Sequence, residues 1–276
     1  MWSRRAGLVL AVALLALGGA ARADEAAEAA ACEHAKLSTQ DATPLDPGAW
    51  EIDFGYEMER ARHAFDNSWG HTGRPTLRER ELTTAIQYGL APDLSIGVAA
   101  GHSNVLDRTE AHSRSGGVTD LELSAKWRFY HDAASGLSIA YVPALALPTG
   151  SRSVSDRFAS LYNGVALTKD WTDRLTSDFD LGYACPFGGP REGHRGTLSA
   201  NVALGYHVTP WLQPEIELNY AHDFVRGGDS DMLAVTGGFI ICASEHLRLG
   251  VGVQQGVAGR NADRSTALLT SLAIMF

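Results

Sequence analysis

The chain predicts an all-β fold: an antiparallel, up-and-down transmembrane β-barrel of about twelve strands. Three observations carry this. From residue 48 onward apolar and polar residues alternate along one segment after another, the period of two of a strand with one greasy face. The links between segments alternate short and long, as at the two ends of a membrane barrel. The last stretch, Ser265 to Phe276, alternates in the same way (Leu268, Thr270, Leu272, Ile274) and ends on an aromatic. A soluble sheet gains little from such an exposed edge, whereas in a closed barrel the last strand pairs with the first.

The amino-terminus agrees with export. Arg4 and Arg5 precede an apolar run from Ala6 to Ala20, and Ala21-Arg22-Ala23 supplies a small-x-small cleavage pattern. Residues 1–23 are therefore expected to be a signal peptide. The run is too short for a spanning helix, and no later stretch approaches one. Residues 24–47, rich in Ala and acids and broken by Pro44 and Pro47, read as a periplasmic lead-in, and residues 48–276 as the barrel. The whole chain carries a net charge of −9; without Arg4, Arg5 and Arg22 the 23 basic residues fall to 20 against 32 acids, a net of −12. Such a balance argues against nucleic acid or anionic lipid headgroups as the main partner. A mean hydropathy of −0.10 suits a barrel in which only every second strand residue is apolar.

The strands follow in order. Trp50, Ile52, Phe54, Tyr56 and Met58 oppose Glu51, Asp53, Gly55, Glu57 and Glu59. Leu82, Ile86 and Tyr88 lead through Pro92-Asp93 to Leu94, Ile96 and Val98. Leu121, Leu123, Ala125, Trp127 and Phe129 oppose Glu122, Ser124, Lys126 and Arg128. Leu137, Ile139, Tyr141, Leu145 and Leu147 come next, then Leu161, Val165 and Leu167. Leu175, Phe179, Leu181 and Tyr183 oppose Asp178 and Asp180. Leu198, Val202, Leu204 and Tyr206 precede Ile216, Leu218 and Tyr220, which oppose Glu215 and Glu217. A strand over about 231–241, another with Leu247, Leu249, Val251 and Val253 opposite Arg248, and the terminal strand complete the set. Short links are expected near 91–93, 131–135, 170–173, 209–211 and 242–246. Long outer loops are expected near 60–76, 104–117, 148–157, 185–195, 224–229 and 257–264. With both chain ends in the periplasm, Trp50, Tyr88, Trp127, Phe129, Trp171, Tyr206, Trp211 and Phe276 fall at the periplasmic end. Tyr56, Tyr183, Tyr220 and Phe224 fall toward the outer one. Two aromatic girdles are what the two interfaces of a membrane favour.

The run Gly116-Gly117-Val118-Thr119-Asp120-Leu121-Glu122-Leu123-Ser124-Ala125-Lys126-Trp127-Arg128-Phe129, with Pro148-Thr149-Gly150 after the next strand, resembles the outer-membrane barrels of the phenol-degradation MetA-pathway family. Thr119 stands where that family usually has Gly. The resemblance spans residues 48–276 and implies a porin-like channel or transporter in the Gram-negative outer membrane, passing small organic molecules, hydrophobic and aromatic ones included. A terminal Phe276 likewise resembles the assembly signal of outer-membrane barrels, read by the barrel-assembly machinery.

If the apolar faces meet lipid, the lumen is lined by Glu51, Asp53, Glu57, Glu122, Lys126, Arg128, Asp178, Asp180, Glu215, Glu217 and Arg248. These charges are costly in lipid and tolerated in a wet or paired interior. One expectation is an acidic pore that favours cations or neutral solutes; the other is a network of ion pairs filling a narrow barrel. Ala140, Val142, Ala144 and Ala146 form an apolar lumen strip, either a slide for a greasy ligand or the seat of an internal plug. An enzyme is not expected. His102-Ser103, His112-Ser113 and His222-Asp223 are neighbours whose side chains point to opposite faces, and nothing supplies a third catalytic member. The ten histidines are scattered without metal-ligand spacing, and no cofactor is implied. A surface-interaction or structural barrel is the remaining class. Expected partners are outer-membrane lipid, lipopolysaccharide and a small-molecule solute; Arg60, Arg62, Arg74 and Arg78, in the first outer loop, either suit lipopolysaccharide phosphates or, as the simpler account, belong to a solvated loop. Of the three cysteines, Cys32 and Cys242 are both expected in the periplasm and are candidates for a disulfide tying the lead-in to the barrel floor, leaving Cys185.

Overall fold

In the computed structural model residues 35–108, 113–188 and 193–276 are described. Every regular element among them is a strand. In chain order these are β1 (Trp50–Phe65), β2 (His71–Ala91), β3 (Leu94–Asp107), β4 (Ser113–Val118), β5 (Leu121–Asp132), β6 (Leu137–Leu147) and β7 (Ala159–Thr172). After them come β8 (Leu175–Phe187), β9 (His194–Tyr206), β10 (Leu212–Val225), β11 (Ser230–Ser244), β12 (Leu247–Arg260) and β13 (Ala262–Met275). All pairings are antiparallel. β1 pairs with both β2 and β13, and β2 pairs with β3, so the sheet closes on itself. β4 and β5 pair with the same neighbour, β3, and are one stave interrupted at Thr119-Asp120. The result is a closed barrel of twelve antiparallel staves. Its seam is finished by the last residue: Phe276 donates its N–H to the Trp50 carbonyl at 2.9 Å and accepts from the Trp50 N–H at 3.1 Å.

The wall is inverted relative to a soluble domain. Phe54, Ile86, Leu123, Val165, Leu204, Ile216, Leu218 and Val253 are exposed on the outer face, whereas Asp178, Asp180, Gln213, Glu217 and Thr236 are buried within. Period-two alternation produces this directly, because neighbouring side chains leave a strand on opposite faces. At the end carrying both Trp50 and Phe276, the exposed rings of Trp127, Phe129, Trp171, Tyr206 and Trp211 form one girdle. Trp50 and Tyr88, register partners, meet there with ring centroids 4.6 Å apart.

The connections at that end are short, as expected; several long outer loops are not loops. β1 and β2 extend through most of 60–76 and leave a turn at Asp66–Gly70, in which the Asp66 carboxylate accepts from the N–H of Ser68 (2.7 Å) and Gly70 (3.0 Å). Strands β3 and β4 take up most of 104–117, and β12 and β13 are joined by Asn261 alone, at a φ of 51°. The physical reason is solvation. Beyond the lipid both faces of a strand meet water, so hydrophobic alternation stops while the hydrogen-bond ladder continues. The alternation marks lipid contact, not strand length. A span needs about 9–11 residues, and β2 has 21. Of the lead-in, residues 35–43 lie inside the barrel, and Asp46, Pro47 and Gly48 are exposed at its rim. Residues 1–34, with the expected signal peptide and Cys32, lie outside the described residues.

Candidate functional site

The lead-in enters at the short-turn end, crosses the lumen and returns to the same rim, forming a cork. Gln213 on β10 holds the Ala35 carbonyl at 3.0 Å. Lys36 reaches Asp178 on β8 at 3.1 Å, both side chains essentially without solvent. The Leu37 N–H donates to Glu215 (2.8 Å) and Glu217 (2.9 Å), and Glu217 also accepts from the Ser38 N–H, the Ser38 hydroxyl and the Thr39 hydroxyl. Gln40 donates its N–H to Asp180 at 2.9 Å, and Ala42 to the Thr168 hydroxyl at 2.8 Å. Asp41 then pairs with Lys126 at 2.8 Å. Finally Gly48 bonds the Gly89 carbonyl and joins β1. A segment without secondary structure leaves its backbone groups unpaired, and burial requires partners for them. The lumenal carboxylates supply those partners.

Two apolar sockets fix the cork sideways. Leu37 sits against Gly238, Gly250 and Gly252; a Cβ on Gly252 would come within 2.3 Å of its Cδ1, and one on Gly238 within 2.6 Å. Ala42 packs among Ala140, Val142 and Ala166. The near half of the apolar strip is thus the seat of a plug, and Ala144 and Ala146 lie beyond it. Beneath the cork, Ala35 and Leu37 cover Ile240 and Cys242. Cys242 is engaged in a disulfide, and Cys185 is exposed and free.

Above the cork is a cavity of about 560 Å³, in the range of small-molecule sites. Its floor is Ser38 and Gln40. Its lining includes Val142, Ala144 and Ala146 of β6, with Glu122 and Lys126 on the adjoining β5 and Asp180 and Asn201 on β8 and β9. Tyr162 lies flat over the bare backbone of Gly164 and Gly182, where a Cβ would meet its ring at 2.5 and 2.1 Å. The two glycines are register partners, so the wall offers a smooth bed and the ring a face to the cavity. Asp156, from the loop between β6 and β7, reaches the cavity from above. Burial, then Asp120, holds its carboxyl above the usual range, with His194 acting in the opposite sense.

That loop explains both motif stretches. Asp120 at the β4–β5 break accepts from the Gly150 N–H (2.8 Å), the Ser155 hydroxyl (3.1 Å) and the Asp156 N–H (3.2 Å). Thr149 accepts from the Leu121 N–H at 3.0 Å, and Ser151 bonds the open edge of β4 at Val118. The Gly-Gly-Val-Thr-Asp and Pro-Thr-Gly runs, some thirty residues apart in sequence, are the two halves of one clasp that folds the loop over the lumen.

The candidate residues sort into three groups. Lys126, Asp178, Asp180, Glu215 and Glu217 hold the cork. Glu51 and Asp53 pair with Arg248 at 3.2 and 3.9 Å across the small Ala273, and Arg128 pairs at the rim with Asp93 at 2.9 Å. Glu57 stands with Glu59, Glu79 and Glu81 on one face of β1 and β2, and Glu122 faces the cavity. Sequence reasoning missed Leu37, Tyr162, Asn201 and Asp156. Tyr162 was reachable by parity, since Leu161, Val165 and Leu167 claim the other face; the cork and the loop leave no periodic trace. Among the described residues, the members of the His-Ser and His-Asp pairs bond to other partners. His102 contacts Asn104, Ser103 donates to Glu79, and His222 pairs with Asp231 at 2.7 Å rather than with Asp223. His112 lies outside the described residues. Among the described residues no group of three or more His, Cys, Asp or Glu is arranged to hold a metal.

A closed twelve-stave wall, apolar outside, with aromatic rings at its rim and a polar interior, defines a transmembrane β-barrel of the outer-membrane class. The chain belongs to the family described as "Putative MetA-pathway of phenol degradation", whose model matches residues 78–271. Among solved structures it is similar to the COG4313 outer membrane channel from Pseudomonas putida F1, with a TM-score of 0.76 and 14% identity over 87% of this chain and 100% of that one. It is also similar to a TodX mutant described as a monoaromatic hydrocarbon channel (TM-score 0.50, 8% identity, 84% of this chain and 91% of that one). The KdgM porin matches with a TM-score of 0.50 and 13% identity, over 82% of this chain and 99% of that one. At such identities the likeness is one of fold. No curated protein sequence matches the chain.

Proposed function

We propose that the protein is a channel of the Gram-negative outer membrane for small organic molecules that combine an apolar body with a polar group, aromatic ones among them, and that it is not an enzyme. The observation that carries this reading is the cavity: an aromatic ring and three small apolar side chains in its lining, flanked by carboxylates, an amide and an ammonium. A pocket of that mixture orients an amphipathic solute at its polar end and desolvates the rest. The family and the channels similar in fold support the same class. The solute enters under the clasped loop, rests against Tyr162, and leaves when the cork shifts. The lumen's carboxylates favour neutral or cationic solutes over anions.

The test is single-channel conductance of the refolded mature chain in a planar bilayer, with phenol added on the outer side. Small cation-leaning steps interrupted by phenol are expected, with shorter interruptions in Tyr162→Ala. A correctly inserted but silent barrel, unresponsive to phenol, would favour the filled-lumen structural reading, for which the cork is the specific observation. The cork's base is held, in this reading, by a disulfide between Cys242 and Cys32. Mass mapping without reductant should find Cys185 alkylated and Cys32 linked to Cys242; alkylation of all three would remove the anchor.

A further inference from the structure

On the outer face of the wall, the register places three arginines on one rung across four neighbouring strand segments. Arg60 of β1 is the partner of Arg78 of β2, Arg78 of Leu106 of β3, and Leu106 of Arg114 of β4. All four share the lipid-facing side, because Arg60 continues the outward series Trp50, Ile52, Phe54, Tyr56, Met58. Going outward along two adjacent strands, the surface changes at nearly the same height: Met58 gives way to Arg60, and Leu82 to Arg80 and Arg78. The guanidinium groups acting on Arg60 are those of Arg62, Arg78 and Arg108. Like charges directly opposite one another destabilise a sheet. Among the described residues Arg60, Arg62 and Arg78 have no ion pair, and the Arg60 Nε is buried without a hydrogen-bond partner. Arg74, by contrast, sits against Asp263. The cluster is not part of an outer loop, as the sequence suggested, but is carried on paired strands just above the apolar band.

We propose that the rung of Arg60, Arg78 and Arg114, flanked by Arg62 and Arg108, binds the phosphate groups of lipid A in the outer leaflet. The proposal rests on the outer-membrane reading of the barrel but not on its solute. Acyl chains lie along Tyr56, Met58, Leu82 and Val118, and the phosphates lie one rung higher, where guanidinium forks give charge-assisted, bidentate hydrogen bonds. The uncompensated positive charge that weakens the bare wall is neutralised by the lipid it is built to meet.

The test uses the full mature chain in detergent and competition against fluorescent diphosphoryl lipid A. The wild-type barrel should bind it at least about tenfold more tightly than lipid A stripped of phosphate. The double variant Arg60→Gln/Arg78→Gln should lose that preference while keeping its unheated gel mobility and its conductance, and Arg60→Lys/Arg78→Lys should keep part of it. Arg114→Gln, at the edge of the rung, serves if the double variant does not fold, and should lose part of the preference. Equal binding of phosphorylated and stripped lipid, or a preference unchanged in the glutamine variants, would overturn the proposal. Equal competition by phosphatidylglycerol would overturn the assignment to lipid A. Since conductance is read separately, a failed channel reading leaves this outcome distinguishable.

Discussion

Lys36 and Asp178 show what one residue pair does in a lumen. Neither charge reaches solvent, and each is compensated chiefly by the other, with the Thr168 hydroxyl donating to Asp178 as well. Removing one partner of a buried pair typically costs about 3–5 kcal/mol, because the remaining charge is stranded, whereas replacing both with apolar groups is often neutral. Lys36→Met should therefore loosen the cork by about that amount. Lys36→Met/Asp178→Leu should recover most of it. Hydrogen exchange of residues 35–43 in the folded barrel measures both; equal protection in wild type and single variant would show that the pair does not hold the cork. Leu37 works by shape instead. Its socket includes three glycines, so any side chain at Gly252 would displace it.

At the scale of elements, the clasp between the β4–β5 break and the β6–β7 loop contributes a titrating group, Asp156, to the cavity. The Asp156 carboxyl is held above the usual carboxylate range by burial and by Asp120, so the closed loop favours its protonated form. The sign follows: closure is fully stabilised at acid pH and weakens as pH rises through the raised pKa, when a second negative charge appears beside Asp120. Limited proteolysis within 148–158 should thus quicken from acid to neutral pH, and Asp156→Asn should abolish the change. A cleavage rate that falls with rising pH would contradict this. The interruption at Thr119-Asp120 is what makes the clasp: a continuous stave would turn the Asp120 carboxylate and the β4 edge to other uses.

The whole molecule is a wall and a filling with separate sources of stability. The wall needs nothing from the lead-in, since its ladder closes through β1, β13 and Phe276. A chain lacking residues 24–47 should still insert, migrate as a folded barrel, and conduct several times more current than the corked form, with stronger cation preference because Asp178, Asp180, Glu215 and Glu217 lose their partners. Unchanged conductance would mean that the passage is blocked elsewhere. The alternation of Trp50 to Met58, Leu121 to Phe129 and Leu247 to Val253 determined by itself the barrel, the stave count and which charges face inward. A period of two leaves no freedom about the face a side chain takes once the other face meets lipid. Tertiary structure alone decided what those charges do. Glu215 and Glu217 read as pore-lining acids, yet their partners are backbone N–H groups some 180 residues away in a segment with no periodicity. Hydrophobic patterning records contact with lipid, whereas the path of an irregular segment is set by hydrogen bonds and sockets that form only once the wall has closed around it.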